Sequence, residues 1–142
     1  MRRLTLLLLA GLWAGPLLAS DQFLVETRLW LEGELAGSPT VIARAGEPAL
    51  LERLGEPQFR LTLTVEAVQD RFAPTDTLWL TVEVETPGED GWEAMVDTLL
   101  GVQEGRTASF SVVDGDDEAT PETAQLFLEV KPSRLRPADS LP

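Results

Sequence analysis

Residues 59–68 read Phe-Arg-Leu-Thr-Leu-Thr-Val-Glu-Ala-Val, and this stretch decides the fold class. The apolar residues from Phe59 to Ala67 occupy every second position, with charged or hydroxyl side chains between them. Successive side chains of a β-strand point to opposite faces, so this alternation indicates a strand with one buried and one solvated face. Half-buried strands of this kind are typical of antiparallel sheets.

The same period of two recurs along most of the chain after residue 21. It predicts further strands over residues 23–32, 40–45, 49–53, 77–86, 92–103, 107–113 and 125–131. Clusters such as Gly46-Glu47-Pro48 and residues 87–91 separate the strands and indicate turns. No stretch after residue 21 shows the apolar stripe of a helix. We therefore predict an all-β fold, an antiparallel β-sandwich or Greek-key domain of about seven to nine strands.

Three segments of the first half resemble three segments of the second half in the same order. They pair Leu29-Trp30-Leu31 with Leu78-Trp79-Leu80, residues 46–49 with 105–108, and residues 61–66 with 126–131. One hypothesis is a domain of two pseudo-repeated halves packed face to face, each with a strand, a hairpin around its Gly46 or Gly105 turn, and a closing strand. The alternative is that alternating strands rich in Leu and Thr resemble each other by chance.

The first 19 residues have the features of a secretory signal peptide. Arg2 and Arg3 supply the positive end, an uncharged apolar run follows, and Ala19 is the small residue at the predicted cleavage site. The run is short for a membrane-spanning helix, although an uncleaved anchor is the alternative. We predict a cleaved signal helix over 1–19, a β-sandwich domain over 20–131 and a flexible tail over 132–142, in a periplasmic or secreted protein.

The composition excludes several classes of function. The chain has no cysteine and no histidine, so it offers no cysteine or histidine zinc ligands, no cysteine nucleophile and no Ser-His-Asp triad. We expect no cofactor and no enzymatic activity, with a hydrolase built on two carboxylates as the remaining catalytic alternative.

The charge also restricts the partners. The formal charge is −13, and it becomes −15 when residues 1–19, which hold two arginines and no acids, are removed. So negative a chain is repelled by phosphate backbones and anionic lipid. We therefore expect no nucleic-acid partner and no stable membrane insertion after signal cleavage.

Three aromatic residues interrupt the polar faces of predicted strands: Trp30, Trp79 and Phe127. Each lies opposite a complete apolar stripe, so the core does not directly explain it. If their strands adjoin, the rings form an exposed patch that can bind a peptide, a glycan or another subunit. The alternative is that neighbouring strands, loops or the tail cover them.

The acidic run at residues 114–118 is a candidate cation site. Asp114, Asp116 and Glu118 place carboxylates at alternating positions, and Ca²⁺ binds six to eight oxygen ligands. The run departs from an EF-hand loop, because Ala119 stands where the turn requires glycine and Gln125 where the bidentate acid belongs. The alternative is a solvated acidic hairpin.

Together these features predict an exported, non-catalytic domain that binds a protein or peptide or acts in envelope assembly. The contact is expected through an exposed strand edge or through the aromatic residues. A small-ligand or cation-binding module using residues 114–118 is the second hypothesis. The cations Lys131, Arg134 and Arg136 are a further feature, which either docks onto an acidic surface or stays solvated.

Overall fold

The computed structural model describes residues 21–68, 72–74, 76–115 and 118–135, and the regular elements in these ranges are all β-strands. The strands are β1 (Gln22–Leu31), β2 (Glu34–Gly37), β3 (Thr40–Arg44), β4 (Ala49–Arg53), β5 (Phe59–Ala67), β6 (Thr77–Gly88), β7 (Gly91–Gln103), β8 (Ala108–Val112) and β9 (Leu126–Leu135). The predicted signal helix over 1–19 lies outside the described residues. Within them, no helix is long and apolar enough to cross a membrane.

The strands form two antiparallel sheets. In sheet A the order is β2-β1-β9-β8, and β3 pairs with β1 along the same edge as β2. In sheet B the order is β4-β5-β6-β7. The structure thus confirms the all-β prediction, with two antiparallel sheets as in a β-sandwich.

The alternation in the sequence gives each sheet one face in a shared core. In β5 the apolar residues from Phe59 to Val65 are buried, whereas the residues between them are half-buried. Strands β1, β6 and β9 contribute in the same way, with the buried residues Phe23, Val25, Leu29, Leu78, Leu80, Val82, Val84, Leu126, Leu128 and Val130. Thr27, a buried polar residue of β1, donates its hydroxyl hydrogen to the Pro39 carbonyl at 2.7 Å. Its burial therefore leaves no unsatisfied hydrogen bond.

A β-bulge in β7 overturns part of the face that the period of two predicts for residues 92–103, which puts Trp92, Ala94 and Val96 together on the inward side. The register with β6 shifts there, and Met95 is the extra residue. Because one extra residue inverts the alternation, Val96 is buried as predicted whereas Ala94 is exposed. Trp92 was also predicted to face inward, but it lies on the outer face of sheet B against Arg60.

Strand β2 is absent from the prediction because four residues are too few to show a period. Leu31 pairs with Glu34, so a two-residue turn at Glu32 and Gly33 joins β1 to β2. Both turn residues have positive φ, 51° and 83°, as in a type I′ hairpin turn. A Cβ on Gly33 would lie 2.8 Å from the Glu122 carbonyl oxygen, so the turn also needs glycine for space.

Strand β9 runs four residues past the predicted end of the domain at residue 131. Residues 132–135 pair with the first four residues of β1, and Pro132 is buried. This part of the predicted flexible tail is therefore an ordered strand, because its backbone completes the ladder with β1. The rest of the tail lies outside the described residues.

Arg134 links this end of β9 to Asp21, which precedes β1, and to Glu104, which follows β7. Its guanidinium Nη1 lies 2.7 Å from the Asp21 carboxylate, and its backbone N–H donates to Glu104 Oε2 at 2.9 Å. The guanidinium carbon also lies 5.1 Å from the centre of the Phe23 ring. The sequence left two alternatives for the terminal cations, docking onto an acidic surface or remaining solvated. Arg134 docks onto acidic residues of its own domain.

Apart from β2, a short additional strand of the first half, the two halves of the chain have the same strand plan. The first half gives β1 to β3 to sheet A and β4 and β5 to sheet B, and the second half gives β6 and β7 to sheet B and β8 and β9 to sheet A. The order β3-β1-β9-β8 in sheet A therefore corresponds to β7-β6-β5-β4 in sheet B.

Equivalent hydrogen bonds occur within each half. The Gly46 N–H donates to the Val65 carbonyl at 2.8 Å, and the Gly105 N–H donates to the Pro132 carbonyl at 2.7 Å. Both glycines are in the left-handed region, with φ of 77° and 81°. One residue earlier in each half, Ala45 and Glu104 donate to the carbonyls of Asp21 and Asp76, both at 2.9 Å.

The predicted repeat is wrong in two details. The turns at Gly46 and Gly105 do not form hairpins, because each carries the chain from one sheet to the other. The equivalence of Asp21 and Asp76 places Trp79 at the position of Leu24, so the match of Trp30 with Trp79 is out of register.

Removing residues 132–142 tests whether the end of β9 belongs to the domain. We expect this truncation to lower the free energy of unfolding by about 3 kcal/mol or more, because it removes four ladder residues and the buried Pro132. A control truncation after Leu135 keeps every one of these pairs and should change the free energy by less than about 1 kcal/mol. Urea unfolding followed by circular dichroism measures both, and equal effects of the two truncations would contradict the assignment.

Candidate functional site

Trp30 and Phe127 meet on the outer face of sheet A. They are directly opposite each other on the paired strands β1 and β9, and their rings form an edge-to-face contact with centroids 5.6 Å apart. Leu35 of β2 pairs with Trp30 from the other side and is 54% exposed. We call Leu35, Trp30 and Phe127 the aromatic cluster. It is a half-exposed apolar row across three strands.

Trp79 does not belong to this cluster, so the three predicted aromatic residues do not form one patch. It lies on the outer face of sheet B, on β6, opposite Gly101 of β7. Its ring lies over this glycine, since a Cβ on Gly101 would be 3.2 Å from Trp79 Cζ3. The glycine leaves the space that the indole fills, and 42% of the tryptophan remains exposed. The prediction failed because the alternation shows which face of a strand is polar but not which sheet the strand joins.

A groove of about 390 Å³ lies on the outer side of sheet A. Its lining comes from β1, β3, β9 and the adjoining turns, namely Glu26, Thr27, Arg28, Ser38, Thr40, Thr107, Glu129, Val130 and Lys131. Arg28 and Glu129 are also the next outward pair along the sheet from Trp30 and Phe127. The groove and the aromatic cluster are therefore one continuous surface, which we call the sheet A face.

Four charged side chains give the groove both signs of charge. Glu26 is opposite Lys131 and Arg28 is opposite Glu129, so cations and anions alternate along and across the strands. Within the described part of the chain, neither Arg28 nor Lys131 is within ion-pair distance of a carboxylate. Both cations are exposed and have their donors available for another molecule.

The two outer faces differ strongly in charge. Outward strand positions of sheet A carry Arg28, Arg44, Lys131, Glu26 and Glu129, a net charge of +1. Those of sheet B carry Arg60, Glu52, Glu66, Glu83, Glu85 and Asp97, a net charge of −4. Sheet A thus presents a nearly neutral surface on a strongly acidic protein.

The single outward arginine of sheet B is held by its neighbours. Arg60 lies 3.0 Å from Glu52 and 3.6 Å from Glu85, and its guanidinium carbon is 4.3 Å from the centre of the Trp92 ring. Arg60 offsets one of the five negative charges on that face through its contacts with Glu52 and Glu85. Within the described residues, Glu66, Glu83 and Asp97 have no cation within ion-pair distance.

The acidic run at 114–118 is described only in part. Asp114 and Glu118 are exposed, and Asp116 lies outside the described residues. The main chain after the run is folded back, with the Thr123 hydroxyl donating to the Glu118 carbonyl. Among the residues that the structure describes, no three acidic side chains come together in a group that could hold a metal ion. The metal site therefore stays a prediction.

Comparisons with protein-family models, with curated proteins and with solved structures find no match for this chain.

Sequence reasoning singled out Trp30 and Phe127 but missed Leu35 and the position of Arg28 beside Lys131 in the groove. The signal for Leu35 was hidden because β2 is so short. Arg28 and Lys131 lie far apart in the sequence, and only the pairing of β1 with β9 brings them to one groove.

Calcium titration of the chain from Ser20 onward tests the predicted cation site. We expect the melting temperature to stay unchanged up to millimolar Ca²⁺, because solvated carboxylates on a hairpin gain little from a hydrated cation. The variant Asp114→Asn should behave identically. A rise in melting temperature that this substitution abolishes would establish the cation-binding hypothesis instead.

Proposed function

We propose that this protein is an exported, non-catalytic binding domain that contacts a protein or peptide partner through the sheet A face. The observation that carries this proposal is the continuity of the aromatic cluster with the groove that holds Arg28 and Lys131, neither of which has an ion-pair partner among the described residues. A polypeptide presents apolar side chains together with charges of both signs, which is the combination that this face complements.

The residue types on the face are those that contribute most to protein interfaces. Aromatic residues and arginine are enriched at the centres of interfaces, where truncating one of them commonly costs 2 kcal/mol or more of binding free energy. Trp30 and Phe127 already contact each other edge to face without a partner. A partner therefore meets a preorganised surface and spends little conformational entropy in fixing these rings.

The shared plan of the two halves supports a role for these charges outside folding. We propose that the halves are copies of one ancestral unit, which is supported by their equal strand order and equivalent hydrogen bonds. In that plan Arg28 is equivalent to Glu83, and Lys131 to Thr64. The same strand positions thus carry no cation in sheet B, and the cations of sheet A are specific to that face.

A fold that is held together without disulfides is compatible with export. The predicted signal over residues 1–19 directs the chain to the periplasm or the exterior, and the chain has no cysteine to form disulfides. A stable, cysteine-free sandwich with one nearly neutral face suits a role in envelope assembly or in the recognition of another exported protein.

Capture by the immobilised domain, with two matched variants, tests this proposal. Leu35→Arg introduces a charge into the aromatic cluster, and Leu50→Arg introduces the same charge on the outer face of sheet B at a residue of similar exposure, 54% against 58%. We expect the domain to retain a stoichiometric partner from envelope extract of its own cells. Leu35→Arg should weaken that complex at least about tenfold, and Leu50→Arg should leave it within about twofold.

The proposal is contradicted if Leu50→Arg weakens the complex as much as Leu35→Arg does while both variants remain folded. Retention of the same partner with full affinity by Leu35→Arg would also contradict it.

A further inference from the structure

Strand β7 is an unusually long open edge. It has 13 residues and ends sheet B, with β6 on one side and no described strand paired with the other. The other edges of the described sheets are short. Strands β4 and β8 have five residues each, and the remaining edge of sheet A is divided between β2 and β3. An open edge of this length presents a row of backbone donors and acceptors to another chain.

The hydrogen bonds of β7 show which backbone groups are open. Opposite residues of an antiparallel pair alternate between those that exchange hydrogen bonds and those that do not. Glu104 donates to the Asp76 carbonyl, and the register is regular from there to Val96. Even-numbered residues therefore bond to β6, and the N–H and C=O groups of Asp97, Leu99 and Gly101 point away from the sheet. The Gln103 carbonyl at the end of the strand accepts the Arg106 N–H at 3.1 Å.

This edge carries few of the devices that block pairing with another strand. Strand β7 contains no lysine, no arginine and no proline, and its bulge at Met95 lies at the beginning of the strand. From Val96 to Gln103 the register is unbroken, and the single charge in that stretch is Asp97. Leu99 on the outer face is 57% exposed.

The inner and outer faces of sheet B next to β7 indicate which side chains an added strand should carry. On the inner side, Leu100 of β7 and Phe110 of β8 are only half-buried, so apolar side chains can complete the core there. On the outer side, Trp79 lies across Gly101 with Glu66 opposite it on β5, and Glu83 and Asp97 are opposite each other four residues further along β6 and β7. Lysine or arginine at the outward positions would meet both the acids and the face of the indole.

We propose that the β7 edge from Val96 to Gln103 binds an extended segment of another protein by β-strand addition. The segment alternates apolar residues, directed toward the core, with basic residues, directed over Trp79 and the acids of sheet B. The open backbone groups of β7 supply affinity, and the charge of the outer face supplies specificity. This site is separate from the sheet A face, and neither depends on the other.

Isothermal titration calorimetry with a synthetic peptide of alternating valine and lysine tests the proposal. We expect the domain to bind it, and Leu99→Lys to weaken binding at least about tenfold through repulsion at the edge. Ile42→Lys is the matched control, because it adds the same charge to an outward residue of edge strand β3 at similar exposure, 59% against 57%. It should leave binding within about twofold.

Changes to the peptide keep the test independent of the folding of the variants. A peptide N-methylated on the residues that would donate to β7 should not bind the unaltered domain, whereas methylation on the alternate residues should preserve binding. A peptide of alternating valine and glutamate should not bind.

Three results would overturn the proposal. The first is equal weakening by Ile42→Lys and Leu99→Lys, which would show attraction to net charge alone. The second is equal binding of both N-methylated peptides. The third is a dimer of the domain itself that Leu99→Lys dissociates, which would assign the edge to a second copy of the chain.

Discussion

The pairing of β1 with β9 is the interaction on which the rest of the molecule depends. It joins the first and last strands of the described domain over ten residue pairs, from Gln22 with Leu135 to Leu31 with Leu126. Without it, β1 with β2 and β3 would be separated from β8 and β9, and half of the core would lose its cover. The same ladder sets Trp30 against Phe127 and Arg28 against Glu129. The central part of the sheet A face is therefore a product of this one register.

The shared plan of the halves explains why this ladder has its place in the fold. The pairing of β1 with β9 in sheet A corresponds to the pairing of β6 with β5 in sheet B, and these two ladders are where the halves join. The glycine turns at Gly46 and Gly105 carry each half from one sheet to the other. Each half thus contributes to both sheets and cannot bury its apolar residues alone. This arrangement stabilises the cysteine-free chain through the packing of the two sheets and through the hydrogen bonds between their strands.

Most of the strands could be predicted from the sequence because a half-buried strand leaves its period in the residue order. The stretch from Phe59 to Ala67 shows this most clearly. The failures occurred where the period breaks or where the pattern is too short. Met95 inverts the alternation at the start of β7, and β2 has only four residues. Residues 132–135 contain a proline and few apolar residues, and their place in β9 depends on a partner strand at the other end of the sequence.

The candidate site was predicted less completely, for a related reason. Polar-face aromatics can be recognised in a single strand, and Trp30 and Phe127 were found in that way. Their contact, the exclusion of Trp79 from it, and the joining of Arg28 to Lys131 all depend on which strands are neighbours. Alternation within a strand does not contain that information. The length of an open edge is likewise a property of the assembled sheet.

The two proposed contact surfaces both lie outside the apolar core. Inside, the core is apolar and Thr27 is satisfied by the Pro39 carbonyl. Outside, the two proposed surfaces differ in the groups they expose, which are side chains on the sheet A face and backbone groups on the β7 edge. We infer that both surfaces are exposed because the sheets have this strand order and register.

Residue-resolved amide hydrogen exchange in β7 tests that claim most directly. Amides that bond to β6, such as those of Thr98, Leu100 and Val102, should exchange slowly, whereas those of Leu99 and Gly101 should exchange at rates close to those of an unfolded chain. Alternating fast and slow exchange along β7 is the result that the strand order and register predict. Uniformly slow exchange along the strand would show that the edge is covered, and uniformly fast exchange would show that β7 does not pair with β6.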